Sequence, residues 1–473
     1  MGSRTGTELW RMSATEMAEA IRSRELSSQE VIEAHLRRID VINGATNAVV
    51  IVLAEQALDA AEAADRAVAA GADLRPFHGV PFTVKDNIDV VGTPTTQGLK
   101  ALANAYPRRD APVVERLKAG GGILIGRTNL PSGAIRWHCE SELWGATVNP
   151  WDRSRTPGAS SAGEAAAIAT GMSPLGLGND GLGSLRHPAQ CCGIAALKPT
   201  LGRIPHATTI EPTDMATIGM QLTQVNGPLA RRIADLRGAF EVVAGPAWQD
   251  PWTVPAPLRG PQSTKPVRVA MVPDPAGQGT AKQVQDGVRK AAYTLEEAGY
   301  TVDELEPPAI VAAAKALVIM LTTPGTRQVW QQMMSPAFPD PARRFMAAFF
   351  EAAGDPDPVA AEQAFITRLT VLRAWSEFQE HHPLIVAPIA TDIPSKAGTD
   401  LDEGRVAEDL RSMRMAVAVN ALGLPAVALP VGIQDGLPQA VQLIGPRYRE
   451  DLCLDAAAAL EDRLGIITPI DPR

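Results

Sequence analysis

The chain has 473 residues, of which 45% are hydrophobic and 21% charged, a balance typical of a globular enzyme that can bury a large core. Its formal net charge is -9, from 44 basic and 53 acidic residues. This mild acidic excess argues against a nucleic-acid partner, which would require a basic face.

Targeting and cofactor signals are absent from the sequence. No stretch reaches the ~18 consecutive apolar residues of a membrane span, and residues 1–10 contain no apolar run of the signal-peptide type. We find no nucleotide-binding glycine pattern, and the cysteines, which show no metal-ligand spacing, are expected to be reduced thiols: Cys139, Cys191, Cys192 and Cys453. We therefore expect a cytoplasmic protein, monomer or homodimer, with no cofactor, metal, membrane or nucleic-acid partner.

The N-terminal part predicts helices. Residues 13–16 and 27–30 both fit a capping box, and each is followed by apolar residues at helical spacing. Residues 49–53 are short, apolar and β-branched, which indicates a strand or a helix end. Residues 58–70 are alanine-rich and predict a further helix.

Short apolar segments then alternate with helical ones. Residues 79–86 predict a buried strand that runs into a polar turn, residues 111–119 a helix, and residues 121–126 a buried strand. Residues 149–205 are dense in Gly, Ser and Pro, yet the helical pattern at 164–170 indicates an ordered core of tight turns rather than a linker.

The alternation continues to the C-terminus, with further strands predicted at 267–272, 384–388 and 426–430. It indicates an α/β fold with a mainly parallel or mixed sheet. Residues 317–375 differ, because they are helical and rich in methionine and aromatic residues. This segment is either the core of a helical subdomain or a deformable apolar wall over a binding site. Its large apolar side chains include Met320, Trp330, Met333, Met334, Phe338, Phe345, Met346, Phe349 and Phe350.

Three segments carry residues suited to nucleophilic catalysis. Lys85 directly follows an apolar strand, where desolvation can make a lysine a neutral base. Residues 156–163 (TPGASSAG) are small and allow close approach, although this segment taken alone is better explained as a simple helix-capping turn. In residues 178–186 (GNDGLGSLR), glycines before a serine allow a turn that presents a hydroxyl and successive backbone N–H groups.

In this order the three segments resemble the amidase signature family. Residues 156–163 are similar to its Gly/Ser-rich GGSSGG stretch, and residues 178–186 to its DxGGSxR segment. Residues 192–205 (CGIAALKPTLGRIP) are similar to its CG--GLKPT-GR-P segment. Further similar segments extend the resemblance over most of the chain: residues 79–86, 126–131, 149–152, 227–231 and 423–426.

The resemblance implies one domain over 1–473, with a catalytic core at 65–205 and a central mixed, twisted sheet covered by helices on both faces. It implies that Ser184 is the nucleophile and that Ser160, on a cis peptide bond, relays its proton to neutral Lys85. The implied oxyanion hole consists of the backbone N–H groups of Gly181, Leu182, Gly183 and Ser184. For the substrate we expect contacts from Leu182, His187 and Arg203, within a pocket lined by residues 317–375.

Several side chains near the motif have other interpretations. His138 or His187 would have to contact Ser184 in a Ser-His-Asp site, but His187 is too near in sequence to serve as the base. We expect Asp180 to hold the glycine turn and Arg186 to form a structural ion pair. The sequence departs from the family pattern where glycines are replaced, which requires negative φ at these positions: Ala159, Ala162 and Leu182.

The resemblance implies a hydrolase of amide-type C–N bonds. The methionine- and aromatic-rich segment favours aryl or alkyl amides, and carbamates (urethanes) and esters are further substrates that the same chemistry could cleave. Two alternatives stay open: the glutaminase subunit of a tRNA-dependent amidotransferase, and a non-catalytic protein that keeps the fold.

Overall fold

A computed structural model of the chain describes residues 8–210, 217–261, 266–334 and 337–473, without the side chain of Met333. The first seven residues, part of the segment in which we predict no signal peptide, lie outside these ranges. Within the described ranges the α-helices α1–α16 are Ala14–Arg22, Ser28–Thr46, Ala54–Ala69, Pro112–Ala119, Ala162–Ala169, Arg186–Cys192, Ile218–Gln221, Ile233–Val243, Lys282–Glu297, Ile310–Met320, Pro324–Met334, Asp340–Ala353, Pro358–His381, Arg405–Ser412, Arg414–Leu422 and Glu450–Leu464. The strands β1–β13 are Val49–Val52, Pro81–Lys85, Ile123–Thr128, Glu140–Ser141, Gly145–Ala146, Leu175–Asp180, Ala195–Lys198, Val225–Ala230, Arg268–Met271, Thr301–Glu304, Leu384–Ala387, Ala426–Gln434 and Leu437–Ile444.

Eleven of these strands form one mixed sheet in the order β1-β3-β2-β6-β8-β7-β12-β13-β11-β9-β10, and β4 pairs with β5 separately. β2 lies parallel to β3 and β6, and β9 lies parallel to β10 and β11. The other pairs in the large sheet are antiparallel. The prediction of a mixed sheet is therefore confirmed.

Helices cover both faces of this sheet, as predicted. Alternate side chains of a strand point to opposite faces, and β12 shows the consequence. Ala426 and Ala428 belong to a core shared with α5, α6, α10, α13 and α15. Val427 and Leu429 belong to a second core shared with α1, α4, α8, α9 and α16. Each strand buried on both sides thus joins two layers of helices.

The N-terminal helices begin where the sequence predicts. Ser13 and Ser27 each accept a hydrogen bond from the backbone N–H three residues later, and the glutamate at that position accepts one from the backbone N–H of the capping serine. Both capping boxes are confirmed. Residues 49–53, for which a strand or a helix end is expected, contain β1, and the strands predicted at 79–86 and 121–126 correspond to β2 and β3.

The Gly-rich segment is ordered, but it contains a strand that the sequence pattern did not indicate. β6 includes Gly176 and Gly178, residues that weaken a strand prediction. A Cβ at Gly176 would lie 2.0 Å from Glu164 Oε2, and one at Gly178 would lie 2.7 Å from Ser161 Oγ. The glycines are therefore required by close packing of α5 on β6.

No single helix within the described ranges has both the length and the apolarity to cross a membrane. One bent pair, Ile310–Met320 with Pro324–Gln332, meets the length and composition criteria when its two helices are taken together.

Candidate active site

Lys85 lies at the end of β2, fully buried. Its Nζ is 2.7 Å from Ser160 Oγ and 2.7 Å from Asn179 Oδ1. Burial disfavours the charged ammonium and lowers the pKa of Lys85 to about 7, although the nearby Cys139, Asp180 and Glu164 oppose this shift. A substantial fraction of the lysine is therefore a neutral amine near neutral pH.

Ser160 reaches Lys85 from the turn that precedes α5. The peptide bond between Ala159 and Ser160 is cis. Gly158 has a φ of +78°, and a Cβ there would lie 2.7 Å from Pro188 Cα, so this turn packs directly on α6. Ala159, Ala162 and Leu182 all keep negative φ, which makes the three glycine replacements compatible with the backbone.

A buried glutamate secures α5 against the sheet. Glu164 Oε2 accepts a hydrogen bond of 2.7 Å from Thr83 Oγ1 on β2. Burial raises the pKa of Glu164 to about 8, against the opposing effect of hydrogen bonds and of Arg127 and Lys85. The carboxyl group is therefore largely neutral at pH 7, and it fills the space left by Gly176.

The turn after β6 presents Ser184, and Asp180 organises it. The Asp180 carboxylate accepts hydrogen bonds from the N–H of Gly183 at 2.7 Å and of Leu185 at 3.1 Å, and Arg186 Nε lies 3.0 Å from it. Burial alone would raise the pKa of Asp180, but the Arg186 guanidinium holds it well below its usual range. The turn-forming role of Asp180 and the structural ion pair of Arg186 are confirmed.

The Ser160 and Ser184 segments are joined directly. The N–H of Ser161 donates to the carbonyl of Ser184 at 3.1 Å, and Ser161 Oγ donates to the carbonyl of Asn179 at 3.3 Å. Both Ser160 and Ser184 line a cavity of about 310 Å³. Ser160, hydrogen-bonded to buried Lys85, and Ser184 thus lie on one cavity near the carboxyl ends of β2 and β6, a region called the sheet edge below.

Another part of the cavity wall is apolar. The helical segment 317–375 contributes Leu321, Val329, Trp330, Phe345, Met346 and Phe349. Leu182 and Trp137 also line the cavity, and the rings of Trp137 and Phe345 meet edge to face with centroids 5.4 Å apart. Several of these side chains also form one hydrophobic cluster with Phe338 and Met334, so the segment is both a packed core and a cavity wall.

Residues 30–454 match the family model described as Amidase. The chain belongs to the amidase family. An indoleacetamide hydrolase from Bradyrhizobium diazoefficiens is 40% identical over 97% of this chain and 88% of the relative. A glutamyl-tRNA(Gln) amidotransferase component from Moorella thermoacetica is 31% identical over 96% of this chain and 97% of the relative.

Among solved structures, that of 6-aminohexanoate cyclic dimer hydrolase complexed with substrate superposes with a TM-score of 0.82 and 27% identity, covering 98% of this chain and 100% of that one. The family and the fold implied by the sequence are thus confirmed. The protein is an amidase that hydrolyses amide C–N bonds.

Two predicted substrate contacts of this amidase lie elsewhere. Neither Arg203 nor His187 is among the described residues that line the cavity. The Arg203 guanidinium is fully buried, where it donates to the carbonyls of Ala256 and Pro257 and faces Glu450. By donating to these two carbonyls, Arg203 holds the loop that contains Ala256 and Pro257. Of the three residues predicted to contact substrate, Leu182 alone lines the cavity.

The two histidines near the motif have structural surroundings. His187 contacts the backbone of Ala159, and burial lowers its pKa to about 4. Nδ1 of His138 lies 3.4 Å from Thr156 Oγ1, and burial lowers the pKa of His138 as well. These contacts give the Ser-His-Asp alternative no support.

The predicted oxyanion hole also needs a correction. The N–H of Gly183 already donates to the Asp180 carboxylate, a hydrogen bond that holds the turn. Within the described part of the chain, the N–H groups of Gly181, Leu182 and Ser184 have no protein acceptor. Three donors of the predicted four are therefore available to a ligand in the cavity.

Sequence reasoning missed Asn179 and Asn87, which both line the cavity beside Lys85. The signal lay in the topology: β2 and β6 are parallel neighbours, so the residues at their carboxyl ends meet. The described ranges contain no group of three or more His, Cys, Asp or Glu that could hold a metal ion.

Proposed function

We propose that this amidase hydrolyses uncharged amides with an aromatic acyl group, through an acyl-enzyme on Ser184. The observation that carries the proposal is the 2.7 Å contact between buried Lys85 Nζ and Ser160 Oγ, beside a cavity whose wall is partly aromatic. The buried lysine supplies a base without histidine, and the aromatic wall selects the substrate.

The reaction begins with proton transfer. Ser184 Oγ attacks the carbonyl carbon while its proton passes to Ser160 Oγ, whose own proton passes to neutral Lys85 Nζ. The carbonyl electron pair moves to oxygen, and the free N–H groups of Gly181, Leu182 and Ser184 stabilise this oxyanion. The ammonium of Lys85 then returns the proton through Ser160 to the leaving nitrogen, and the C–N bond breaks. Water releases the acid by the same route.

The charge of the cavity supports an uncharged substrate. No Asp or Glu is among its described lining residues. Arg136 also lines the cavity, but Asp400 holds its guanidinium through two hydrogen bonds of 2.9 and 3.0 Å, and Glu140 through a third of 3.0 Å. A substrate carboxylate or ammonium would therefore enter without a partner, at a high desolvation cost.

The aromatic wall supports an aromatic acyl group. A ring bound among Trp330, Phe345 and Phe349 would bury its surface against polarisable partners. The 40% identity to an indoleacetamide hydrolase supports the same substrate class. Carbamates and esters are proposed as secondary substrates, because both carry a carbonyl carbon that the same nucleophile can attack.

The second candidate is the glutaminase subunit of a tRNA-dependent amidotransferase, and the similarity to the Moorella thermoacetica amidotransferase component favours considering it. Glutamine carries both a carboxylate and an ammonium. The absence of unpaired charges on the described cavity wall makes glutamine a poor fit, and we place this candidate below hydrolysis of amides with an aromatic acyl group.

A substrate panel tests the proposal. The purified chain is assayed for ammonia release from indole-3-acetamide, phenylacetamide, acetamide and glutamine, and for hydrolysis of a 4-nitroanilide and an aryl carbamate. We expect the arylacetamides to give the highest kcat/KM, and Ser184→Ala to abolish every activity. Glutamine as the preferred substrate would support the amidotransferase function, and failure with the whole panel would support a non-catalytic protein.

A further inference from the structure

Within the described ranges, Asn179 is the one hydrogen-bond partner of Lys85 Nζ besides Ser160. It lies on β6, directly beside the carboxyl end of β2, and only 3% of its surface is exposed. Its Oδ1 is 2.7 Å from Lys85 Nζ, as short as the contact between Nζ and Ser160 Oγ. The proposed base therefore has two partners of different chemical character.

A second amide fixes the orientation of Asn179. Its Nδ2 donates a hydrogen bond of 2.9 Å to Asn87 Oδ1, and Asn87 Nδ2 lies 3.4 Å from Asn179 Oδ1. With the Asn179 amide nitrogen turned to Asn87, its carbonyl oxygen must face Nζ. Side-chain amide oxygens accept hydrogen bonds and never donate them.

The consequence concerns the lone pair of the lysine. A neutral amine has two N–H groups and one lone pair, and Asn179 Oδ1 can hold only an N–H. We propose that Asn179, oriented by Asn87, is a positioning residue that directs the lone pair of neutral Lys85 toward Ser160 and stabilises the ammonium that forms when Ser160 gives up its proton. This inference rests on the proposed function of Ser184, Ser160 and Lys85.

The other titratable groups around Lys85 do not offer this control. Burial raises the pKa of Cys139 to about 11, so its thiol is uncharged at neutral pH. Asp180 is paired with Arg186, while Glu164 is largely neutral and bonded to Thr83. Among the described residues His206 also interacts electrostatically with Lys85, and burial lowers its pKa, so its imidazole is neutral as well.

The test uses the rate at which phenylmethanesulfonyl fluoride modifies Ser184, measured from pH 5 to 9 by mass spectrometry and in parallel with kcat/KM for phenylacetamide. The variants are Asn179→Asp and Asn179→Leu. Asn43→Asp is the matched control, because Asn43 on α2 accepts hydrogen bonds from the N–H groups of Ala48 and Val49, far in sequence from the site.

In Asn179→Asp the new carboxylate would stabilise the ammonium and raise the pKa of Lys85, so the acidic limb of both profiles should move to higher pH by roughly one unit or more. Asn179→Leu should lower both rates by roughly 10- to 100-fold at the plateau, as expected for loss of a hydrogen bond to a charged group. Asn43→Asp should leave both profiles unchanged.

The outcomes separate this inference from the proposed function. Modification of Ser184 in the wild type with an acidic limb that Asn179→Asp does not move would overturn the role of Asn179 alone. A limb that Asn43→Asp moves equally would overturn it too, since any added carboxylate would then suffice. A wild type in which Ser184 is not modified at any pH would overturn both the proposed function and the role of Asn179.

Discussion

The sheet edge and the helical wall line the same cavity, but they are built on different physical principles. At the sheet edge, side chains with fixed hydrogen-bond partners lie at the ends of adjacent strands, and Lys85, Asp180 and Glu164 are fully buried. At the wall, the lining residues include large apolar and aromatic side chains such as Trp330 and Met346. From this contrast we infer that the residues of the sheet edge carry out the reaction, whereas those of the wall determine which substrates bind.

Replacement of the nucleophile is the strongest test of the distinction between the sheet edge and the wall. Ser184→Ala should reduce kcat for every substrate by roughly 10⁴-fold or more, because removal of a nucleophile leaves only binding and oxyanion stabilisation. Single-turnover assays of indole-3-acetamide and of an ester measure the effect. The control is Ser23→Ala, at an exposed position after α1, which should be fully active. Loss for only one of these two substrate classes would contradict a shared reaction centre.

The base is the next test of the sheet edge. Lys85→Met should lower kcat/KM by roughly 10²- to 10⁴-fold. In the wild type kcat/KM should rise with pH and reach half its maximum near pH 7, because burial lowers the pKa of Lys85 to about 7 and the neutral amine is the active form.

Lys85→Arg separates the base from the charge. Arginine stays protonated throughout this pH range, so the variant should be as inactive as Lys85→Met. Lys100→Met, at an exposed lysine, is the control and should keep the wild-type profile. Activity retained by Lys85→Arg would exclude lysine as the proton acceptor.

The buried ion pair between Asp180 and Arg186 tests whether polar contacts stabilise the sheet edge. Asp180→Asn leaves Arg186 without its charge partner and should lower the free energy of unfolding by about 3–5 kcal/mol. The urea midpoint measures this change. Asp455→Asn removes the carboxylate of an exposed pair with Arg237 and should cost less than about 1 kcal/mol. Similar losses of unfolding free energy in both variants would contradict a larger contribution of the buried pair.

The wall should show a smaller and more selective effect. Trp330→Ala should raise KM for indole-3-acetamide roughly tenfold, through lost apolar contact, and should leave kcat/KM for acetamide unchanged. Ile366→Ala, whose side chain is 52% exposed on α13, is the matched control. A fall in kcat for acetamide as well would mean that the wall also shapes the reaction centre.

The sequence was informative where local chemistry determines structure. Capping residues placed the N-terminal helices, and the motif segments alone indicated Lys85, Ser160 and Ser184. It was uninformative where partners are distant in the chain. Asn179 became visible as a neighbour of Lys85 only once β2 and β6 were known to be adjacent. Expectations of a cytoplasmic location and of a monomer or homodimer stay predictions.

The errors at the site have the same origin. Arg203 lies in a family-like segment, yet its guanidinium donates hydrogen bonds to carbonyls more than fifty residues away in the sequence. Gly183 was predicted as an oxyanion donor, but the Asp180 carboxylate folds back onto its N–H. Motifs indicate which residues matter, whereas burial and partner geometry decide which atoms remain free.

The central claim is that Ser184 carries the acyl group during turnover. The most direct measurement is rapid acid quenching of the enzyme during hydrolysis of 4-nitrophenyl phenylacetate, followed by peptide mass spectrometry. We predict a phenylacetyl group on the peptide that contains Ser184, absent from Ser184→Ala. An acyl group on another residue, or steady turnover by Ser184→Ala, would contradict this claim.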